Sequence, residues 1–315
     1  MNRPTTRIAP SPTGALHLGN ARTFLVNWAL ARQHGWKVVY RIEDLDTPRV
    51  KPGAIEQTTE ILSWLGLDWD ERVPLQSDNL EPYRRAMQSL AGAGLVYPCA
   101  LSRREIAEAA GAPHADEHEI RFDPSLRPAT IPRAFTDTST NWRFITPEES
   151  VSFGDRFAGP ITRSPATDIG DFVIWTQRTQ PAYQLAVVVD DHRQGITEIV
   201  RGDDLIDSAA RQILLYRALG LTSEPTYTHL PLIRGADGRR LAKRHGDTRL
   251  IAYKHRNIPP ERIIALLARY SGITDAGEFL CAEDFANRFQ LDTMPREDVV
   301  FTPEDDQWLL DAETR

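Results

Sequence analysis

Pro10-Ser11-Pro12-Thr13-Gly14-Ala15-Leu16-His17-Leu18-Gly19-Asn20 lies between a short apolar strand, Arg7-Ile8-Ala9, and a helical pattern. The helix is expected from about Asn20 to His34, with Leu25, Trp28, Ala29 and Arg32 at helical spacing. A proline-stiffened turn with two glycines lets the backbone approach a phosphate chain closely. The helix then points its unpaired N–H groups and positive dipole end at that chain. His17 stands where an imidazole can donate to an α-phosphate whose charge rises during displacement. Gly35 ends the helix, and Lys37 to Ile42 (KVVYRI) reads as the next strand. Strand, glycine loop, helix, strand is the order of a parallel α/β sheet, whose ligands bind at the carboxyl ends of strands.

Outward from this turn, residues 54–66 read as a second helix with Ile55, Ile61, Leu62 and Leu65 as its apolar set. Residues 79–110 read as helical around Tyr97-Pro98, and 112–170 break into prolines and short strand-like pieces such as Trp142 to Ile145. Strand patterns return at Tyr183 to Val189 and Thr197 to Val200. A helix over about Ser208 to Leu219 and a strand at Leu230 to Ile233 follow. The last 65 residues read as helical, punctuated by Phe279, Phe285, Phe289, Phe301 and Trp308.

The totals set wide bounds. At 315 residues, 41% hydrophobic and 26% charged, the chain has room for two or three structural units and the composition of a globular protein. Two cysteines, Cys99 and Cys281, exclude a disulfide framework and fit a reducing compartment, the cytoplasm. The first residues have no apolar core for a signal peptide, and no apolar run approaches the roughly 18–20 residues that cross a bilayer. A net charge of −7 leaves room for a local basic face that meets phosphates.

A second signal is Arg239-Arg240-Leu241-Ala242-Lys243-Arg244-His245-Gly246, where a lysine can neutralise a departing pyrophosphate. Taken by itself, such a basic run is commonly a solvated loop. Two such loops, about 220 residues apart in the sequence, resemble the paired signature loops of class I aminoacyl-tRNA synthetases. Arg41-Ile42-Glu43-Asp44-Leu45-Asp46, Leu65-Gly66-Leu67-Asp68-Trp69-Asp70 and the run from Tyr183 to His192, continuing from Gly195 to Gly202, are similar to the glutamyl-tRNA synthetase family. The resemblance covers most of residues 7–250.

It implies an α/β fold with a Rossmann-type parallel sheet, an inserted α+β connective domain and a C-terminal helical stem-contact region. The expected division is 1–78 for the first half of the catalytic domain and 79–180 for the inserted domain. The second half follows at 181–250, with the KMSKS-like loop, and the helical region at 251–315. The implied substrates are L-glutamate, ATP with Mg²⁺, and a tRNA, handled by a cytoplasmic monomer. The resemblance assigns Arg7, Ala9, Ser11, Glu43, Tyr183 and Arg201 to glutamate. It assigns Pro12, Thr13, Gly14, His17, Gly19, Asn20, Arg240, Leu241 and Lys243 to ATP, with His17 and Lys243 catalytic. Chemically, Arg7 and Arg201 suit a side-chain carboxylate, Glu43 an ammonium group and Tyr183 a hydroxyl contact, and facing guanidinium donors disfavour the amide of glutamine. Asp190 and Asp191 read either as Mg²⁺ ligands or as capping residues.

Three departures from the family pattern stand out. The chain stops at Arg315, where full-length members continue into an anticodon-binding domain. It therefore resembles a shortened branch of the family that attaches glutamate to the queuosine base of tRNA(Asp). The alternatives are a truncated enzyme charging tRNA(Glu) and a non-catalytic paralogue that binds glutamate and ATP. Many members of the branch carry a zinc site, but Leu101, Phe122 and Leu126 stand beside Cys99 where the other three ligands would align, so no zinc is expected. His114 and His118, spaced i, i+4, have no thiolate beside them and are not expected to replace those ligands. In the signature loops, Asn20 replaces a second histidine and Arg240 and Ala242 replace the usual residues, while Lys243 is present.

Overall fold

The computed structural model describes residues 3–109, 121–239, 241 and 248–311. The chain opens with β1 (Thr5–Ile8), α1 (Leu18–His34), β2 (Lys37–Tyr40), α2 (Ala54–Trp64), β3 (Glu71–Arg72) and α3 (Glu81–Ala93). The middle carries β4 (Val96–Cys99), α4 (Arg103–Ala109), β5 (Asn141–Phe144), β6 (Val151–Asp155), β7 (Gly159–Arg163), α5 (Pro165–Asp168), β8 (Phe172–Thr176) and β9 (Gln180–Pro181). Next come α6 (Tyr183–Arg193), β10 (Glu198–Gly202), α7 (Ile206–Ala218), β11 (Thr226–Leu230) and β12 (Ile233–Gly235). The chain ends with α8 (Leu250–His255), α9 (Pro260–Tyr270), α10 (Ala282–Arg288), β13 (Val299–Phe301) and α11 (Pro303–Leu310).

β1, β2 and β3 form one parallel sheet, and β10 pairs in parallel with β11, which the β6–β7 hairpin extends. The two sheets meet edge to edge where the Thr197 N–H donates to the Thr5 carbonyl (2.8 Å) and the Thr5 N–H to Thr197 Oγ1 (3.0 Å). Strands separated by almost 200 residues therefore lie side by side, and the crevice at their carboxyl ends is where an open α/β sheet holds its ligand. A separate antiparallel sheet, β4-β5-β8-β9, comes from the stretch between the two halves.

α1 is buried nearly all round, Arg22 and Asn27 included, because both its sides are covered. It packs on β1 and β10 and also on α9 and α10. Gln33 Nε2 ties its end to α10 by donating to the Ala286 and Phe289 carbonyls (2.6 and 2.7 Å). One apolar core consequently runs from Ile8 to Leu309, while α3, α6, α7 and the antiparallel strands enclose a second.

Several elements differ from the sequence-based expectation: the strand expected at Leu230 to Ile233 is broken at Pro231-Leu232, between β11 and β12, and the last 65 residues, expected to be helical, include the strand β13. Tyr183 to Val189 is helical, not extended. Leu185 to Val189 are all buried, so the run carries no polar face to reveal its period, and packing on α3, α7 and β8 overrides the strand preference of three valines. Within the stretch expected to be helical at 79–110, Gly94 adopts a left-handed φ of 73° and stops α3. Val96 to Cys99 then form an edge strand, which tolerates Pro98.

The four positions aligned with a zinc site do converge. Cys99 and Phe122 are buried in one small cluster, with Leu101 and Leu126 packed against it. Three of the four are hydrocarbon side chains, so the residues present do not fit a zinc ion. Burying Phe122 and the leucines beside Tyr97 and Ile106 holds these segments together by apolar contact instead. His114 and His118 lie outside the described residues.

Candidate active site

The crevice where β1 and β10 adjoin opens into a cavity of about 250 Å³. Arg7 and Ala9 line it from the end of β1, Arg201 and Gly202 from the end of β10, and His17, Gly19 and Asn20 from the start of α1. Glu43, Tyr183 and Leu241 complete the part of the wall expected from sequence. Ser11 faces an adjoining space of about 430 Å³ that shares Glu43 and Tyr183 with the first. Pro12, Thr13 and Gly14 line neither space, and Arg240 and Lys243 lie outside the described residues.

The helix start is built by His17 itself. α1 begins at Leu18, two residues before the expected Asn20, because His17 and Asn20 form a reciprocal cap. The Gly19 N–H donates to His17 Nδ1 (3.1 Å), and the His17 N–H donates to Asn20 Oδ1 (3.2 Å). Nδ1 is thereby an acceptor, which places the proton of the neutral ring on Nε2. Glycine at 19 leaves the ring its room, since a Cβ there would stand 3.0–3.1 Å from the imidazole, tighter than an ordinary contact. The base of the second signature loop joins the same place. The Leu250 N–H donates to the Leu16 carbonyl (2.9 Å), and His17 and Arg249 form a bridge.

Beneath the cavity floor lies a charge cluster centred on Arg41, a residue to which the sequence assigned no role. Arg41 is fully buried. Its Nη1 donates to Asp191 Oδ1 (2.7 Å) and Gln194 Oε1 (2.8 Å), and its Nη2 to Glu43 Oε1 (3.0 Å). Arg7 Nε stands 3.4 Å from the same Asp191 oxygen. Asp191 therefore neutralises two arginines, and Arg41 orients Glu43 toward the cavity. Burial raises the pKa of Glu43, while Arg41 and Arg7 pull it down, leaving it above the usual carboxylate range. Asp190 accepts from Gln76 Nε2 and Tyr83 Oη, both at 2.8 Å. Both acids lie within α6 and accept from donors outside it, Asp191 through Oδ1 alone, and neither caps a strand. Among the described residues no cluster of acidic, histidine or cysteine side chains fits a metal ion.

Arg201 is held from behind by three acceptors, His229, Gln212 and the Leu205 carbonyl. Gln212 is in turn fixed by Gln184, and Gln184 by Ser208. Arg22, nearly fully buried, adds a further guanidinium to the cavity wall, its charge countered at longer range by Asp298 and Asp203. Burial lowers its pKa to about 10, still well above neutrality. None of Arg22, Gln212 or His229 carried a sequence signal, because each matters only through a neighbour distant in the chain. Arg41 and Asp191 did lie in recognised strings, and their pairing across 150 residues became visible only in the fold.

Residues 4–308 match the pattern of the family described as tRNA synthetases class I (E and Q), catalytic domain. The chain is 45% identical over 289 residues to the glutamyl-Q tRNA(Asp) synthetase of Rhodopirellula baltica, covering 87% of this chain and 86% of that protein. It is 37% identical to a glutamate–tRNA ligase of Azoarcus sp., covering 96% of this chain but 66% of that one. Among solved structures, the glutamate-tRNA synthetase of Elizabethkingia anophelis superposes with a TM-score of 0.80 at 26% identity. That match covers 98% of this chain and 70% of the other. Among the described residues no helix is long and apolar enough to cross a membrane.

Proposed function

The chain belongs to the family of class I tRNA synthetases for glutamate and glutamine, and from that premise we propose that it activates L-glutamate with ATP and transfers it to the queuosine base of tRNA(Asp). The observation that carries the acceptor is one of similarity. The chain is 45% identical to the relative named for that reaction and 37% identical to the glutamate–tRNA ligase. The chain is read as a cytoplasmic monomer, with 79–180 and 251–315 as the parts that approach the RNA.

In the first step the α-carboxylate of glutamate attacks the α-phosphorus of Mg·ATP in line. A phosphoanhydride bond breaks and pyrophosphate leaves. Arg7 and Arg201 pair the side-chain carboxylate, Glu43 accepts from the ammonium group, and Tyr183 and Ser11 close the pocket. His17 Nε2–H and the N–H groups of the first turn of α1 stabilise the charge on the α-phosphate, and Lys243 that on pyrophosphate. Pro12 to Gly14, Asn20, Arg240 and Leu241 complete the ATP site. In the second step a hydroxyl on the cyclopentene ring of the base attacks the mixed anhydride. An ester forms, and AMP leaves with the anhydride oxygen.

Glutamate-dependent pyrophosphate exchange is expected without any tRNA. Labelled glutamate should then appear at the queuosine nucleotide of tRNA(Asp), and only in tRNA that carries the modified base. Label at the terminal ribose of tRNA(Glu) would instead establish the truncated-ligase alternative. Binding of both ligands without exchange would establish a non-catalytic protein.

Gly19→Ala should push the His17 ring out of its cap. The loss expected in ATP affinity is roughly 5- to 10-fold, the equivalent of the ~1 kcal/mol that a cap hydrogen bond contributes. Titration of ATP against the folded variant measures it, and an unchanged affinity would remove the cap from the ATP site.

A further inference from the structure

Resting on the reading of Arg201 as a glutamate-binding residue, we propose that Asp155 and His229 are positioning residues that aim its guanidinium at the substrate's side-chain carboxylate. Arg201 Nε–H donates to His229 Nε2 at 3.0 Å in a buried contact. Arginine has donors only, so Nε2 carries a lone pair and the ring proton sits on Nδ1. Nδ1 faces Asp155 Oδ2 at 2.7 Å, and both side chains are fully buried.

Asp155 is itself fixed at the turn between β6 and β7. Its Oδ1 accepts from the Phe157 N–H (3.0 Å) and the Ala158 N–H (2.7 Å), and the His229 N–H reaches both oxygens (3.2 and 3.1 Å). A carboxylate held by so many backbone donors does not rotate, and it sets both the tautomer and the tilt of the imidazole. The other two anchors of Arg201 are Gln212 Oε1 on Nη1 (2.9 Å) and the Leu205 carbonyl on Nη2 (3.1 Å). Three of the five guanidinium N–H bonds are therefore used. One remains on each terminal nitrogen, the pair that grips a carboxylate side by side. The Tyr227 ring lies under the guanidinium at 5.2 Å and stacks on His229 at 5.7 Å, closing the remaining side.

Three titratable or charged groups face His229: Asp155 from β6, Arg201 from β10 and Tyr227 from its own strand. Burial pushes the imidazole pKa down, the Asp155 hydrogen bond pulls it up, and Arg201 pushes it down again. The balance lies below the usual histidine value. A neutral ring is the form that can accept from an arginine. The arrangement also gives the inserted stretch a part in amino-acid recognition, because Asp155 reaches the pocket from behind, through the pairing of β6 with β11.

Pyrophosphate exchange on the full chain tests this. His229→Leu leaves Arg201 Nε without an acceptor and should raise the glutamate KM by roughly 10- to 100-fold, with kcat and the ATP KM little changed. His229→Gln, whose amide oxygen can take the place of Nε2, should return the glutamate KM close to the starting value. Asp155→Asn should raise the KM in the same direction and shift the imidazole proton to Nε2, seen in nitrogen-15 spectra of the ring. Adding His229→Leu to Arg201→Ala should bring no further rise. Parallel losses in kcat and both KM values, or a native ring protonated on Nε2, would overturn the proposal. If Arg201→Ala raises the glutamate KM and His229→Leu does not, this proposal alone fails. If Arg201→Ala itself has no effect, the underlying reading of the pocket fails with it.

Discussion

Arg41→Ala is expected to destabilise the fold by about 3–5 kcal/mol, the range for removing one partner from a buried ion pair. Arg41 is fully buried and makes three hydrogen bonds, to Asp191, Gln194 and Glu43. Burial works against its charge, but Asp191, Glu43 and Asp190 outweigh it and hold the proton more tightly than usual. Without it, Asp191, also fully buried, keeps only the 3.4 Å contact with Arg7, and Glu43 loses its direct partner. Two carboxylates near the same floor then repel each other in a poorly solvated place.

The pH dependence distinguishes this cause from a packing defect. In the variant Glu43 loses the guanidinium that pulled its folded-state pKa down, so that pKa rises further above its unfolded value. Its protonation then favours the folded state, so the deficit shrinks as pH falls toward the carboxylate range and is full at neutral pH. Urea denaturation at several pH values measures the effect. A loss below about 1 kcal/mol at neutral pH, in the range of an ordinary surface substitution, would mean that the cluster does not depend on Arg41.

Lys243→Ala is expected to lower glutamate-dependent pyrophosphate exchange by roughly 10²- to 10³-fold, as for loss of one charge-stabilising donor at a reacting group. Lys243 lies outside the described residues, and its flanks are held at the cavity. On one side Leu241 is buried in the cavity wall; on the other, Leu250 and Arg249 pair with Leu16 and His17 of the first loop. Both ends of the second signature loop are thereby tied to the site assigned to ATP. The charge matters most as pyrophosphate separates, so the loss should fall on kcat and leave the glutamate KM nearly unchanged. Near-normal exchange in this variant would sink the assignment of an activating enzyme.

The class of fold was legible at the first loop. Prolines, two glycines, a histidine and a helix start in that order have few other uses, and the structure brings Arg7, Ala9, His17, Gly19, Asn20, Glu43, Tyr183, Arg201 and Leu241 to one cavity. α1 and β2 could be read because capping and period are local properties. The helix from Tyr183 could not, since a run buried on all sides shows no period, and its valines favour a strand.

The chain by itself therefore determined the kind of chemistry, through residue types that a phosphate chain and a small dicarboxylate require at short spacing. Tertiary structure alone decided how those residues are held. Asp191 meets Arg41 across 150 residues, Asp155 meets His229 across 74, and Thr5 meets Thr197 across 192. Such pairs leave no pattern along the sequence, because a buried charge needs a partner close in space, and the cost of chain closure grows only slowly with the distance along the chain to that partner.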